Sequence, residues 1–219
     1  VANRWGTETI KRLATATPVA HDFDTDTLKL GLMATAYNPN TAFSTSLSWA
    51  DVSASEASGT GYVAGGITVP SPAITVVQAN SFGRVWAATT AYAVGDVVRP
   101  NANTNGHLYM CVTAGTSGGT EPTAGNWPTV SGKDSPTDGT VVWTEIGASI
   151  TKFSSGNVVS PSLSLTGIQY GWIYDDQNAT ASNKSLICLL DFGSQKTWTS
   201  TVVTFTPDAN LGWVFLTPS

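Results

Sequence analysis

Charge is what this chain has least of. Lys, Arg, Asp and Glu make up 11% of its 219 residues, against roughly a quarter in an average soluble domain. The ten basic residues are scattered singly apart from Lys11-Arg12, and the formal net charge is −5. With no basic stripe to neutralise a phosphate backbone, nucleic acid is not expected as a partner. There are two cysteines, Cys111 and Cys188, far apart and with no Cys or His cluster beside them. That argues against a disulfide scaffold, a zinc finger and a CxxC redox motif, and both thiols are expected to be free and buried. Histidine is as scarce, with His21 and His107 alone to serve as imidazole bases. No apolar run approaches the roughly 18 residues of a membrane helix. The opening VANRWGTETIKRL lacks the apolar core of a signal peptide, so neither membrane insertion nor Sec export is expected.

What the chain has is aromatic bulk and small polar residues. Eight Trp, seven Phe and six Tyr within a 41% hydrophobic composition supply enough apolar surface for a folded core, which separates the chain from disordered sequences. Solubility must then come from Thr, Ser, Asn and Gly, a surface that suits strands and turns. Short runs with β-branched or alternating apolar residues recur at Leu28–Ala34, Tyr62–Val69, Ala73–Val77, Gly167–Tyr174, Ser185–Phe192, Thr199–Phe205 and Gly212–Leu216, each readable as a strand. Asn38-Pro39-Asn40, Gly59-Thr60-Gly61, Gly65-Gly66, Pro70-Ser71-Pro72 and Pro207-Asp208 separate them with turn chemistry. The expected fold is all-β, a β-sandwich or jelly-roll-like base. A short N-terminal helix is expected, capped by Thr7, carrying Ile10 and Leu13 on one face and stopped before Pro18.

From Val85 to Gly147 the composition turns Gly- and Pro-rich, with Trp86, Trp127 and Trp143 among few long apolar runs. This reads as a small β module, 85–147, inserted in one loop of a discontinuous base domain, 1–84 and 148–219. Insertions of this kind succeed where the two ends of a loop lie close together.

Catalytic patterns fail on their context. Gly115-Thr116-Ser117-Gly118-Gly119 matches a nucleophile elbow, but Thr120-Glu121-Pro122 follows where a helix must start. Gly59-Thr60-Gly61 leads into Gly65-Gly66 and a β-branched run, not into the helix whose N-terminus would hold a pyrophosphate. Asp22, Asp24 and Asp26 alternate along one side of an extended segment, yet Thr27 and Met33 stand where a calcium loop needs Gly and Glu. Asp175-Asp176 are adjacent, so on a strand they face opposite ways and cannot act as an acid pair across a cleft. His107 and Cys111 fall short of a four-ligand set. No catalytic residue, cofactor site or metal site is assigned.

The stretch Trp86 to Tyr92, Gly95-Asp96-Val97-Val98, Gly106-His107-Leu108-Tyr109-Met110-Cys111, Gly118-Gly119-Thr120-Glu121-Pro122, Trp127 and Asp138-Gly139-Thr140-Val141-Val142-Trp143 resembles the small carbohydrate-binding module of chitin-binding type found in tailed-phage structural proteins. In sugar-binding members, exposed aromatics stack on pyranose faces. The resemblance makes Trp86, Tyr92, Tyr109 and Trp127 the candidate glycan-binding residues, with core packing as the other reading of the same rings. Met110-Cys111-Val112-Thr113 stands where many sugar binders carry tandem aromatics.

The flanks Asp24 to Met33, Tyr37-Asn38-Pro39, Trp49 to Tyr62, Ile168 to Asp176, Ser185 to Gly193 and Leu211-Gly212-Trp213 are similar to a family of bacteriophage structural proteins. That resemblance implies a non-enzymatic virion protein. The expected role is capsid decoration: a cement protein that binds the major capsid protein on the head exterior as a homo-oligomer, a trimer or dimer, and carries the module as a projecting knob. The alternative is a tail or fibre adhesin that binds host surface glycan through the module.

Overall fold

The computed structural model describes residues 4–5, 23, 25–39, 48–177, 180 and 183–217. The expected helix over Thr7, Ile10 and Leu13, and Asp22 and Asp24 of the alternating acids, lie outside the described residues. Within them the fold is all-β and antiparallel. The chain forms two compact units, 1–74 with 153–214 and 75–152 with 215–219, and it passes between them within strands Ala73–Gln78, Ser149–Ser154 and Val214–Leu216.

The first unit is built on a sheet of five strands: β1 (Arg4–Trp5), β2 (Leu28–Leu32), β3 (Ile67–Thr68), and two long strands, Val158–Asp175 and Leu186–Phe205. In chain order the latter two are β11 and β12, after β4 (Ala73–Gln78), β5 (Ala91–Tyr92), β6 (Val97–Val98), β7 (Tyr109–Thr113), β8 (Gly115–Thr116), β9 (Val142–Glu145) and β10 (Ser149–Ser154); β13 is Val214–Leu216. The sheet order is β1-β12-β11-β2-β3. Register places Trp172 between Gly31 and Leu189, and Ile173 between Leu30 and Cys188. Residues 171–175 and 186–190 are buried without interruption. Successive side chains of a strand point to opposite faces, so both faces of the sheet are covered at its centre.

On one face Met33, Tyr37, Trp49, Val52, Trp172, Tyr174, Leu186 and Leu189 form a single core. Gly31, opposite Trp172, leaves the space that the Trp49 indole occupies. Trp49 and Val52 reach this core from a one-turn helix, α1 (Trp49–Val52), whose start is fixed by the Asp51 carboxylate accepting from the backbone N–H of Ser48 at 2.8 Å and from its hydroxyl at 3.1 Å. The Ser48-x-x-Asp51 pairing satisfies donors that a helix start otherwise leaves open. Burial of a Trp172 N–H is compensated by the Tyr37 hydroxyl at 2.7 Å. Tyr62 takes the Leu32 N–H at 2.9 Å and donates to Glu56 at 2.7 Å.

Three strand expectations change. Ser185–Phe192 and Thr199–Phe205 belong to one strand of 20 residues, and Gly167–Tyr174 is the end of one of 18 that begins at Val158. Between the two runs, across Gly193-Ser194, the register is irregular: Ile168 pairs with Lys196, but Tyr170 pairs with Asp191. Extra residues in one strand bulge without ending it. Of Tyr62–Val69 only Ile67–Thr68 is strand, because Gly65 and Gly66 turn the chain at φ 95° and 78°. At Gly66 that backbone also lies against the Leu30 carbonyl, where a Cβ would stand 2.7 Å from the oxygen.

The second unit contains the pair β5-β8 and the three-stranded sheet β6-β7-β9. Gly95 turns the chain at φ 94° between β5 and β6, and Asp96 closes that turn by accepting the Ala93 N–H at 2.8 Å. Gly115 and Thr116, expected in a loop, pair with Tyr92 and Ala91 as a short strand.

Candidate functional site

The sequence points to four rings in the second unit, and the structure brings all four together. Trp86, Tyr92, Tyr109 and Trp127 share one core with Val98, Cys111, Val141 and Trp143. Their exposures are 5%, 4%, 0% and 1%. Tyr109 lies against Trp127 at 4.4 Å between ring centroids, Tyr92 meets Trp143 edge-on at 4.8 Å, and Trp127 and Trp143 are 6.1 Å apart. The quadrupoles of aromatic rings favour these tilted and edge-to-face contacts. The rings interdigitate instead of lining up on a solvent-facing strip, the arrangement of the core-packing reading of the same rings, and a ring whose faces are covered offers none to a pyranose. Trp143, at 0% exposure, is the centre of this packing.

Polar partners lock the cluster. Asp138, itself 5% exposed, accepts the indole N–H of Trp86 at 2.7 Å and that of Trp143 at 3.0 Å on one carboxylate oxygen, and the Gly118 N–H at 2.9 Å on the other. A buried carboxylate is tolerable only when it is so bonded. Tyr109 accepts from the Asn105 amide at 2.6 Å and donates to the Pro128 carbonyl at 2.8 Å; burial pushes its hydroxyl up to about 12 despite the Asn105 contact. Burial likewise raises Tyr92, whose hydroxyl takes the Ala87 N–H at 2.9 Å and whose ring lies 5.3 Å from the Arg84 guanidinium carbon. Arg84 also holds Asp96 at 2.6 Å. Burial alone would raise the Asp96 carboxyl, but the Arg84 hydrogen bond, the Ala93 N–H and the Arg84 charge together outweigh it and hold the group below the ordinary range.

Two groups in this unit are buried without a protein partner among the described residues: the Trp127 indole N–H and Glu145 Oε2. The other oxygen of Glu145 lies 2.6 Å from His107 Nδ1 and accepts the Gly147 N–H at 2.6 Å. The pairing ties the start of β7 to the end of β9, adjacent in the sheet, and gives His107 a structural anchor.

The nucleophile and acid patterns also resolve into packing. Ser117, 3% exposed, donates its hydroxyl to the Ala87 carbonyl at 2.7 Å and accepts the Thr90 N–H at 3.0 Å. In the first unit Asp175 is buried at the end of β11 and accepts the Gln177 N–H at 2.8 Å, while Asp176 turns the other way to Lys29 at 2.8 Å and to Lys184. The two lysines hold Asp176 below the ordinary carboxylate range against the opposing effect of burial. Both cysteines are free and buried, and burial drives their thiols upward, away from the reactive thiolate. Among the described residues no three His, Cys, Asp or Glu side chains are grouped to hold a metal ion, and no helix is long and apolar enough to cross a membrane.

Sequence reasoning missed Asp138 as the organiser of the cluster. Its signal was an acid beside Gly139 in a segment otherwise made of apolar and small residues, close to Trp143. Comparison with protein-family models, with curated proteins and with solved structures finds no match to this chain.

Proposed function

We propose that this chain is a non-enzymatic structural protein of a tailed-bacteriophage virion, a decoration protein that binds the major capsid protein on the head exterior and stabilises the shell as a homo-oligomer. The resemblances of the two flanks and of the 85–147 stretch motivate the virion. The observation that carries a structural role over a sugar-binding one is the inward packing of Trp86, Tyr92, Tyr109 and Trp127 around Asp138. What is left for contact is an exterior poor in charge and rich in Thr and Ser. The low charge suits a broad subunit contact, since charge is what interface cores exclude. Exposed valines, Val63, Val76, Val94, Val130, Val159 and Val202, add apolar contact without long side chains to order.

The adhesin reading would need a sugar site other than those four rings. The two are separated by adding purified protein to heads that lack it and following binding together with head survival on heating. Saturable binding that raises the disruption temperature supports decoration. Failure to bind heads, with retention on glycan, would replace it.

A further inference from the structure

The outer halves of β11 and β12 form a two-stranded ribbon that differs from the rest of the sheet. From Asn157 to Ile168 and from Thr197 to Thr206 neither strand carries Asp, Glu, Lys or Arg. Residues 199–202 are exposed consecutively, so both faces of the strand meet solvent there, and Val159 and Val202 are 55% and 58% exposed. Among the described residues β12 pairs on its far side only at Cys188 and Leu189, with β1; from Thr201 to Phe205 its partner is β11 alone. The Val203 N–H is aimed at Ser160 of β11, 2.8 Å from its hydroxyl. Backbone groups of successive residues alternate in direction, so those of Val202 and Thr204 point to the open edge.

Folded monomers blunt such an edge with lysine, proline, inward charge or a bulge. Here Ser200, at φ 49°, supplies a kink at one end of the segment, and the register of β11 shifts between Val159 and Ser162, opposite Val203, but Thr201–Phe205 of β12 is of ordinary strand length and has no charge and no proline. We propose that this edge is a self-association surface, on which Thr201–Phe205 of a second copy pairs antiparallel about a two-fold axis and extends the sheet across the dimer. The charge distribution selects a second copy. Two chains of net charge −5 repel one another, and the uncharged Thr201–Phe205 segment is where strands can pair without like charges directly opposite; Asp191 and Asp208, which line a cavity with Thr204 and Phe205, are outside the paired residues. An antiparallel pair about a two-fold is also self-complementary, each Val202 and Thr204 offering one donor and one acceptor to the other chain. The proposal deepens the homo-oligomer of the function above, and it rests on that reading only for the place of the dimer in a virion.

The test is sedimentation of the purified full chain across the micromolar range, beside Val202→Lys with Thr204→Lys, and beside Val63→Lys with Val130→Lys, an equally charged change at sites 77% and 62% exposed and outside β11 and β12. Expected are a wild-type dimer, an unaltered dimer of the Val63→Lys, Val130→Lys control, and a dissociation constant raised at least about a hundredfold by the ribbon lysines. A monomeric wild type, or a dimer indifferent to the ribbon lysines, overturns the proposal. Should the double variant fail to fold by circular dichroism, hydrogen exchange of the wild type decides: the Val202 and Thr204 amides must exchange more slowly in concentrated than in dilute solution, and equal rates overturn it. A chain found in virions but monomeric sinks this contact and the homo-oligomer with it, and leaves the virion role standing. A dimer never found in virions sinks the function alone.

Discussion

Asp138 accepts the indole N–H of Trp86 at 2.7 Å across 52 residues of chain. The same oxygen holds Trp143, so one carboxylate ties the segment that leads into β5 to strand β9. Asp138→Ala leaves two indole N–H groups and the Gly118 N–H buried without a partner, at an expected cost of about 3–5 kcal/mol. Asp138→Asn keeps one carbonyl acceptor and is expected to cost less, about 1–2 kcal/mol. Urea unfolding followed by tryptophan fluorescence orders the two; equal, negligible losses would mean that the carboxylate is dispensable.

Asp176 carries part of the acid sensitivity of the first unit. Its folded carboxyl is held low by Lys184 and Lys29 against burial, so its contribution is complete above the ordinary carboxylate value near 3.8 and is lost as pH falls through the depressed folded value. Asp176→Asn is expected to destabilise by about 1–2 kcal/mol at neutral pH, with wild type and variant converging in strong acid. A deficit that persists below the folded value would show that packing, not the ion pairs, was removed.

At the alkaline end the sign reverses. Burial raises the hydroxyls of Tyr62, Tyr174, Tyr109 and Tyr92, so the folded state favours their neutral form. That stability is full below the ordinary tyrosine value of 10.0 and declines as pH rises toward the folded values. Ultraviolet titration is expected to show fewer than the chain's six tyrosines ionising near the ordinary value when native, and all of them in urea. Coincident curves would contradict the burial of these hydroxyls.

Gly31 faces Trp172 across the β2–β11 pair, and its missing side chain is where the Trp49 indole sits. Gly31→Ala is expected to cost about 1–3 kcal/mol by overpacking, and Trp49→Phe in the same chain is expected to recover part of it. Thermal unfolding of the single and double variants reads the coupling. Additive losses would show that the two positions do not meet.

Strand periodicity was readable at Leu28–Leu32, where Leu28, Leu30 and Leu32 are buried on alternate positions, and Ala73–Gln78 was readable from its β-branched run. It failed where polar residues fill a strand. Val158–Thr166, with Pro161 and three serines, alternates only over Ser162 to Thr166, and Gly193 is a turn-favouring residue while lying inside a bulged strand. The helix at Trp49 is one turn, too short to show a helical period, and its only sign was the Ser48 to Asp51 spacing. In the second unit the aromatic residues that gather were evident from composition, but the direction in which they face was not. An aromatic in a small β unit serves a core and a sugar face alike, and what decides here is a buried carboxylate that pairs with two indoles.

The central claim is membership of a virion head surface. Immunogold labelling of intact particles that contain the chain, with antibody raised against residues 85–147, tests it most directly. Regular label over the head is the predicted result. Label confined to the tail tip, or none on particles shown by mass spectrometry to contain the chain, would contradict it.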